Sequence, residues 1–176
     1  GHGDNGRLGN NATRGSLVPE RALGGIVTAL AVFVSAGEAH SACLDDAGKL
    51  YTWGTGSYGR LGSGQETDQL VPVIVETLAK VKMMTVSCGA FHTACVTASG
   101  RLFSWGKEEY GCLGIHFTGS RLTCGVYTPQ EVELPPLPRS RSSTMGQRSN
   151  GEESLGGGSG GVKMQPGGGG GGVKVK

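Results

Sequence analysis

Apolar and polar residues alternate over short stretches of this chain, and glycine or serine separates the stretches from one another. The stretches are rich in valine, threonine and aromatic residues, a pattern typical of β-strands. Antiparallel strands are therefore predicted at residues 27–36, 40–45, 49–53, 70–75, 82–88, 92–97 and 101–105. The tetrapeptides 45–48 and 97–100 are predicted to be hairpin turns in which the final glycine takes a positive φ.

The same pattern returns after 52 residues. The most similar pairs of segments are 35–44 with 87–96 and 48–54 with 100–106. A glycine-rich loop occurs three times, at 1–9, 54–62 and 106–114. Since four strands in about 50 residues correspond to one propeller blade, the sequence predicts an all-β fold, a partial β-propeller with four-stranded antiparallel blades. The first loop copy lacks the strands that precede the others, so we interpret the chain as a fragment of a longer array.

One predicted strand has an alternative. Residues 26–36 are apolar apart from Thr28 and Ser35, and a helix fits that run as well. The matching stretch 80–88 is mixed and rich in β-branched residues, which favours a strand. Eleven residues are also far fewer than the ~20 that a membrane-spanning helix needs, so no membrane association is predicted.

The order of the motifs resembles the regulator of chromosome condensation repeat. G-x-x-H-[ST], G-x-L-[YF]-x-W-G, G-x-L-G and a proline recur in that order over roughly residues 1–134. The resemblance implies a seven-bladed β-propeller. The family includes the exchange factor for the Ran GTPase, accessory propellers of large ubiquitin ligases and a plant ultraviolet-B receptor. The receptor's Gly-Trp-Arg-His-Thr motif is replaced by other residues at 37–41 and 89–93, which argues against a photoreceptor.

The resemblance also implies where a protein partner would bind. In the exchange factor, rim histidines and an acidic residue in the loop after Trp-Gly contribute to exchange. The matching residues here are Asp4, His40, His92, Glu108 and Glu109. The alternative for both histidines is structural, with a ring nitrogen satisfying a backbone group inside each blade.

Other residues that recur at the repeat period are expected to build the blade. These structural residues are Gly37, Trp53, Gly54, Gly89, Trp105 and Gly106. The tryptophans are expected to pack between adjacent blades. Gly37 and Gly89 each precede a recurring histidine by three residues, and a Cβ at either glycine is expected to clash or to force an unfavourable φ.

Catalytic chemistry is not indicated. No catalytic constellation, metal site or cofactor site is predicted. The segment 54–59 matches the G-x-G-x-x-G dinucleotide fingerprint, but no helical pattern follows it, and the third copy places Glu108 at the middle glycine. Cys43 and Cys95 are equivalent strand residues and are expected to be small buried thiols. The cysteine usage suggests a reducing compartment, in the cytoplasm or nucleus.

The C-terminal part differs in composition. Residues 135–176 begin with prolines and continue with glycine, serine and basic residues. They contain almost no large apolar side chains, so a disordered tail is predicted after the repeat domain at 1–134. Residues 139–176 carry six basic and two acidic side chains, and the rest of the chain is net negative. No strong nucleic-acid signal is therefore present outside the basic tail.

These features favour a protein–protein interaction module over an enzyme. More specifically, the chain is predicted to be part of a regulator that resembles a guanine nucleotide exchange factor, with a small GTPase as its partner. The alternatives are an accessory substrate-binding propeller of a ubiquitin ligase and a fragment without a function of its own.

Overall fold

The computed structural model describes residues 1–115 and 125–135. Two four-stranded antiparallel sheets follow one another along this part of the chain. The first sheet, the first blade, contains β1 (Ala31–Ala36), β2 (His40–Asp45), β3 (Leu50–Gly54) and β4 (Gln69–Ile74). The second blade contains β5 (Met83–Cys88), β6 (His92–Thr97), β7 (Leu102–Lys107) and β8 (Gly125–Val132). The prediction of an all-β chain with four-stranded propeller blades is confirmed.

Each blade is an uninterrupted meander, with its strands in the order of the sequence. The registers of the two blades are equivalent: Val34 pairs with Cys43 in the first blade, and Val86 pairs with Cys95 in the second. The predicted hairpin turns are confirmed, because Gly48 and Gly100 have φ values of +80° and +81°. A side chain is rarely tolerated at such φ, so glycine stabilises both turns.

The first predicted strand was too long. β1 begins at Ala31 rather than at residue 27. The preceding residues form a 3-10 turn at Gly24–Ile26, and the N–H of Val27 donates to the carbonyl of Gly24. An equivalent turn, Glu76–Leu78, precedes β5. An apolar run cannot distinguish a strand from a buried turn that leads into it.

Two further differences lie in the second blade. β7 extends to Lys107, two residues beyond the prediction, because Lys107 still pairs with Gly125 of β8. β8 itself was not predicted, since its copy of the repeat contains an insertion that obscures the spacing. The predicted tail, 135–176, lies outside the described residues apart from Pro135.

The main core lies between the two blades. We call the side of each sheet that carries its tryptophan the near face and the opposite side the far face. The far face of the first blade packs on the near face of the second. The buried residues at this junction include Ala42, Leu44, Leu50, Val86, Cys95, Phe103 and Trp105.

Candidate protein-binding site at the blade junctions

The loops 1–9 and 54–62 each hydrogen-bond to the blade that follows them through one backbone carbonyl. The carbonyl oxygen of Arg60 accepts hydrogen bonds from Trp105 Nε1 at 3.0 Å and from Thr93 Oγ1 at 2.8 Å. Trp105 is fully buried. Both donors belong to the second blade, whereas Arg60 follows the last residues of β3. Trp105 thus lies in the core between the two blades.

The same arrangement occurs one period earlier. The carbonyl oxygen of Arg7 accepts from Trp53 Nε1 at 3.0 Å and from Ser41 Oγ at 3.1 Å. A tryptophan and a hydroxyl residue therefore hold the preceding loop at both junctions. We call the Arg7 set the first junction and the Arg60 set the second junction.

The two arginine side chains strengthen these contacts. Arg60 Nη1 donates to the carbonyl of Ala90 at 2.8 Å, and Arg7 Nη1 donates to the carbonyl of Glu38 at 3.1 Å. In each case Nε donates to a carbonyl three residues back in its own loop. The third loop has Cys112 at the equivalent position, so it lacks the guanidinium that makes these bonds.

His40 belongs to the second junction. Its side chain is 1% exposed, and Nε2 lies 2.8 Å from Thr93 Oγ1 of the second blade. The structure thus differs from both sequence-based interpretations of His40. The ring has no surface on which a partner could bind, and it contacts a side-chain hydroxyl of the next blade rather than a backbone group in its own blade. The equivalent His92 is half-buried.

The recurring glycines make room for these rings. A Cβ on Gly37 would lie 2.7 Å from His40 Cε1 and 2.3 Å from the carbonyl oxygen of Gly89. A Cβ on Gly89 would lie 2.4 Å from His92 Cε1. A Cβ at either glycine would therefore meet the histidine ring of its own blade, and at Gly37 it would also meet the backbone of Gly89.

Gly54 and Gly106 are required for a different reason. Their φ values are +101° and +112°, in the region that favours glycine. A Cβ on Gly54 would also lie 2.6 Å from the carbonyl oxygen of Ala39, and one on Gly106 would lie 2.4 Å from that of Phe91. These glycines let the end of the tryptophan strand approach the start of the histidine strand.

The predicted acidic residues lie in separate loops. Asp4 is in the first loop, where its largely exposed side chain has Arg7 Nη2 at 3.9 Å. Glu108 and Glu109 are in the third loop. Glu108 Oε2 accepts from the backbone N–H of Leu113 at 3.2 Å, and Glu109 forms an ion pair with Lys107. The carboxylate of Asp4 therefore has the largest exposed surface, and Glu108 helps to fix its own loop.

An aromatic and cationic cluster covers the second junction, and the sequence analysis did not identify it. The Phe91 and Tyr58 rings meet edge to face, with centroids 5.9 Å apart. Arg60 Cζ lies 4.9 Å from the Phe91 centroid, and Lys107 Nζ lies 5.2 Å from that of Tyr58. We call Tyr58, Arg60, Phe91 and Lys107 the junction cluster. Burial lowers the pKa of Arg60, against the opposing effect of nearby Glu38.

The buried cysteines of the described residues do not form a reactive-thiol or metal site. Burial raises the thiol pKa to about 11 at Cys43 and Cys88 and to about 12 at Cys95, so these groups stay protonated at neutral pH. Within residues 1–115 and 125–135, no His, Cys, Asp and Glu side chains group as metal ligands do. The described residues also contain no helix long and apolar enough to span a bilayer.

Comparison with known proteins identifies the repeat. The family described as "Regulator of chromosome condensation (RCC1) repeat" matches residues 47–96 and 99–148, more than half of the chain. A second description of the same repeat matches 31–60 and 85–112. The chain belongs to the regulator of chromosome condensation repeat family. The matched residues include the histidine and tryptophan of each blade and Arg60 of the second junction.

Several relatives in this family are larger than the chain. It is 44% identical over 116 residues to the ultraviolet-B receptor UVR8 of Arabidopsis thaliana, covering 65% of the chain and 26% of the receptor. It is 38% identical over 135 residues to the human E3 ubiquitin-protein ligase HERC2, covering 76% of the chain and 3% of the ligase. The zebrafish serine/threonine-protein kinase Nek8 is 42% identical over 102 residues, which cover 58% of the chain and 14% of the kinase.

Solved structures agree with the propeller fold. The crystal structure of human WBSCR16 has a TM-score of 0.55 and 29% identity, covering 60% of the chain and 26% of that protein. Yeast RCC1 (Prp20), solved with Kap60, has a TM-score of 0.54 and 24% identity, covering 65% of the chain and 25% of that protein. The chain therefore spans about a quarter of each propeller, and it is a binding module of the propeller type.

Proposed function

We propose that the chain binds a protein partner through its loop face, the side of the blades that carries residues 36–40, 54–59, 88–92 and 106–111. The observation that carries this proposal is a difference between the two junctions. At the second junction the rings of Tyr58 and Phe91 lie against the arginine, and Lys107 lies against the same rings. The first junction has Asn5, Ala39 and Thr55 at the equivalent positions. Its arginine, tryptophan and hydroxyl groups make the equivalent hydrogen bonds without a tyrosine or phenylalanine, so these bonds do not require the two rings.

The backbone at the tyrosines supports a functional role. Tyr58 and Tyr110 have φ values of 61° and 58°, and the equivalent Asn5 has 59°. Asparagine and glycine adopt this conformation more readily than tyrosine does. Tyr110 is also 99% exposed, and Phe91 is 39% exposed. Aromatic residues kept at exposed and conformationally costly positions are typical of protein interfaces.

The specific partner that we propose is a small GTPase whose nucleotide exchange the protein promotes. Exposed Asp4 on the loop face supports this proposal, because the resemblance assigns exchange to an acidic residue in this loop. Exchange needs no chemistry on the nucleotide. A loop that binds the nucleotide-free GTPase better than the loaded form shifts the equilibrium toward release.

A nucleotide-release assay tests this proposal. The full chain is added to purified small GTPases loaded with fluorescent GDP, and we expect faster release from at least one of them. Asp4→Asn should slow that release, while Asp46→Asn, at the opposite end of β2 and β3, should not. Unchanged release from every GTPase tested would contradict the exchange role.

A second candidate is substrate recognition for a ubiquitin ligase. The 38% identity to human HERC2 over 76% of the chain supports it. In this case the chain binds its partner through Phe91 and Tyr110 but leaves nucleotide release unchanged. Binding that Phe91→Ala and Tyr110→Ala weaken, and that the first-junction variant Ala39→Ser preserves, would favour this candidate when no exchange is seen.

A further inference from the structure

The hydrogen bonds of the second junction determine the protonation of His40. Thr93 Oγ1 donates its single proton to the carbonyl oxygen of Arg60 at 2.8 Å. The same oxygen lies 2.8 Å from His40 Nε2 and must accept there. Nε2 of His40 therefore carries a proton, and in the neutral ring Nδ1 holds an unshared electron pair.

The surroundings of Nδ1 are unfavourable for a second proton. Nδ1 is buried, and it has no hydrogen-bond partner in the described part of the chain. Gly37 lies directly against the ring, since a Cβ there would be 2.8 Å from Nδ1. Two ionisable groups act on the ring, Arg60 from the loop and His92 from β6, and both are basic. Burial is the largest of these effects, and together they lower the pKa of His40 to about 4.

We propose that His40 makes the second junction acid-sensitive: the blades stay joined while the ring is neutral and separate when the ring takes up a proton. An imidazolium at this place would be a buried charge with one unsatisfied N–H, next to the guanidinium of Arg60. Opening the junction exposes the ring to water and relieves both costs. The first junction has no described histidine in this role, so the sensitivity belongs to the second junction.

The direction of the pH effect follows from proton linkage. A histidine in the open or unfolded chain takes up a proton near pH 6.5, whereas His40 in the closed junction does so near pH 4. Between these values the open state binds more protons, so acidification favours opening. The equilibrium constant for closing is expected to fall on the order of 100- to 1000-fold across this window, and above pH 6.5 the effect is absent.

Histidine exchange in the full, unsubstituted chain tests the first step. Deuterium exchange at the ring C2–H, followed by mass spectrometry of peptides, reports the titration midpoint of each histidine. We expect the midpoint of His40 at least about 1.5 pH units below the ~6.5 of an unperturbed histidine. A midpoint for His40 at or above that value would overturn the proposal.

Tryptophan fluorescence tests whether the junction opens. Trp105 is one of two tryptophans, so a Trp53→Phe background makes it the sole reporter. Its emission should shift to longer wavelength between pH 6.5 and 4. His40→Gln, which retains an N–H donor for Thr93 but does not titrate, should remove this shift, whereas the matched His92→Gln should preserve it. The same acid transition in His40→Gln would overturn the proposal. If that variant fails to fold, the absence of an emission shift in the Trp53→Phe protein would overturn it.

Discussion

The near faces of the two blades contain equivalent residues in different surroundings. Val34 in β1 and Val86 in β5 occupy the same register position, each opposite a cysteine. Val86 is 2% exposed, whereas Val34 is 71% exposed. The far face of the first blade covers Val86, and no described sheet covers Val34. Burial in this repeat is therefore determined by the neighbouring blade and not by the residue itself.

The first near face is only partly covered, by the segment that precedes β1. Ile26 packs on Cys43, Tyr51 and Trp53. A cleft of about 330 Å³ remains on this face, lined largely by apolar side chains that include Val34. Val34, Cys43 and Trp53 line this cleft, and their equivalents Val86, Cys95 and Trp105 are buried against the first blade. Equivalent substitutions in the two blades should therefore have unequal effects.

Substitution of the tryptophans should give the largest difference. Trp105→Ala removes a fully buried side chain and its hydrogen bond to Arg60, and it should lower the free energy of unfolding by about 3–5 kcal/mol. Trp53→Ala should cost at least about 1 kcal/mol less, because the cleft lies beside it. Urea denaturation followed by circular dichroism measures both. Equal losses would show that the neighbouring blade does not control the contribution of this residue.

The glycines next to the histidines should give the next largest effect. Gly89→Val should cost about 2 kcal/mol or more, since the new side chain meets the His92 ring. Gly37→Val should cost more still, because it also meets the backbone of Gly89, which cannot move as a side chain can. Thermal melts of both variants and of the unsubstituted chain measure these losses. A neutral result for Gly89→Val would count against a structural role for that residue.

The valine pair tests the comparison with a smaller change. Val86→Ala removes two buried methyl groups and should cost about 1–2 kcal/mol. Val34→Ala, at the exposed equivalent position, should change the free energy of unfolding by less than about 0.5 kcal/mol. Urea titrations of the two variants under the same conditions measure both changes in the free energy of unfolding. A larger loss at Val34 would mean that its face is covered in solution.

The junction cluster should give the smallest effect on stability. Phe91→Ala removes a half-exposed ring and its contact with Arg60, at a cost of about 0.5–1 kcal/mol. Ala39→Ser, at the equivalent position of the first blade, should be near neutral. Thermal melts test both. A loss for Phe91→Ala as large as that for Trp105→Ala would mean that the aromatic residues join the blades, which would remove the main support for a docking surface there.

The sequence was sufficient for features that are local and that repeat. The strands other than β8, the hairpin glycines and the blade unit follow from short patterns seen twice, such as Gly48 with Gly100. The start of β1 was predicted too early because the hydrophobicity pattern does not reveal the hydrogen bonds of the turn that precedes the strand.

The contacts across the junctions were not predictable in the same way. His40 and Thr93 are far apart in the sequence, and their pairing depends on how one blade packs on the next. A signal was nevertheless present, since Arg7 and Arg60, and likewise Ser41 and Thr93, recur at the repeat period. The junction cluster gives a weaker signal, because Tyr58 recurs as Tyr110 whereas Phe91 and Lys107 stand where the first blade has Ala39 and Thr55.

The most direct test of the account is the association state of residues 1–138. Covering about 400 Å² of apolar surface is worth on the order of 10 kcal/mol, which is comparable to the stability of a whole domain. Size-exclusion chromatography with light scattering, together with a thermal melt, should show a weakly stable species that self-associates. Val34→Lys should shift it toward monomer, because that side chain lies on the uncovered face. A sharply melting monomer in the unsubstituted protein would contradict the claim that each blade depends on a neighbour to cover its faces.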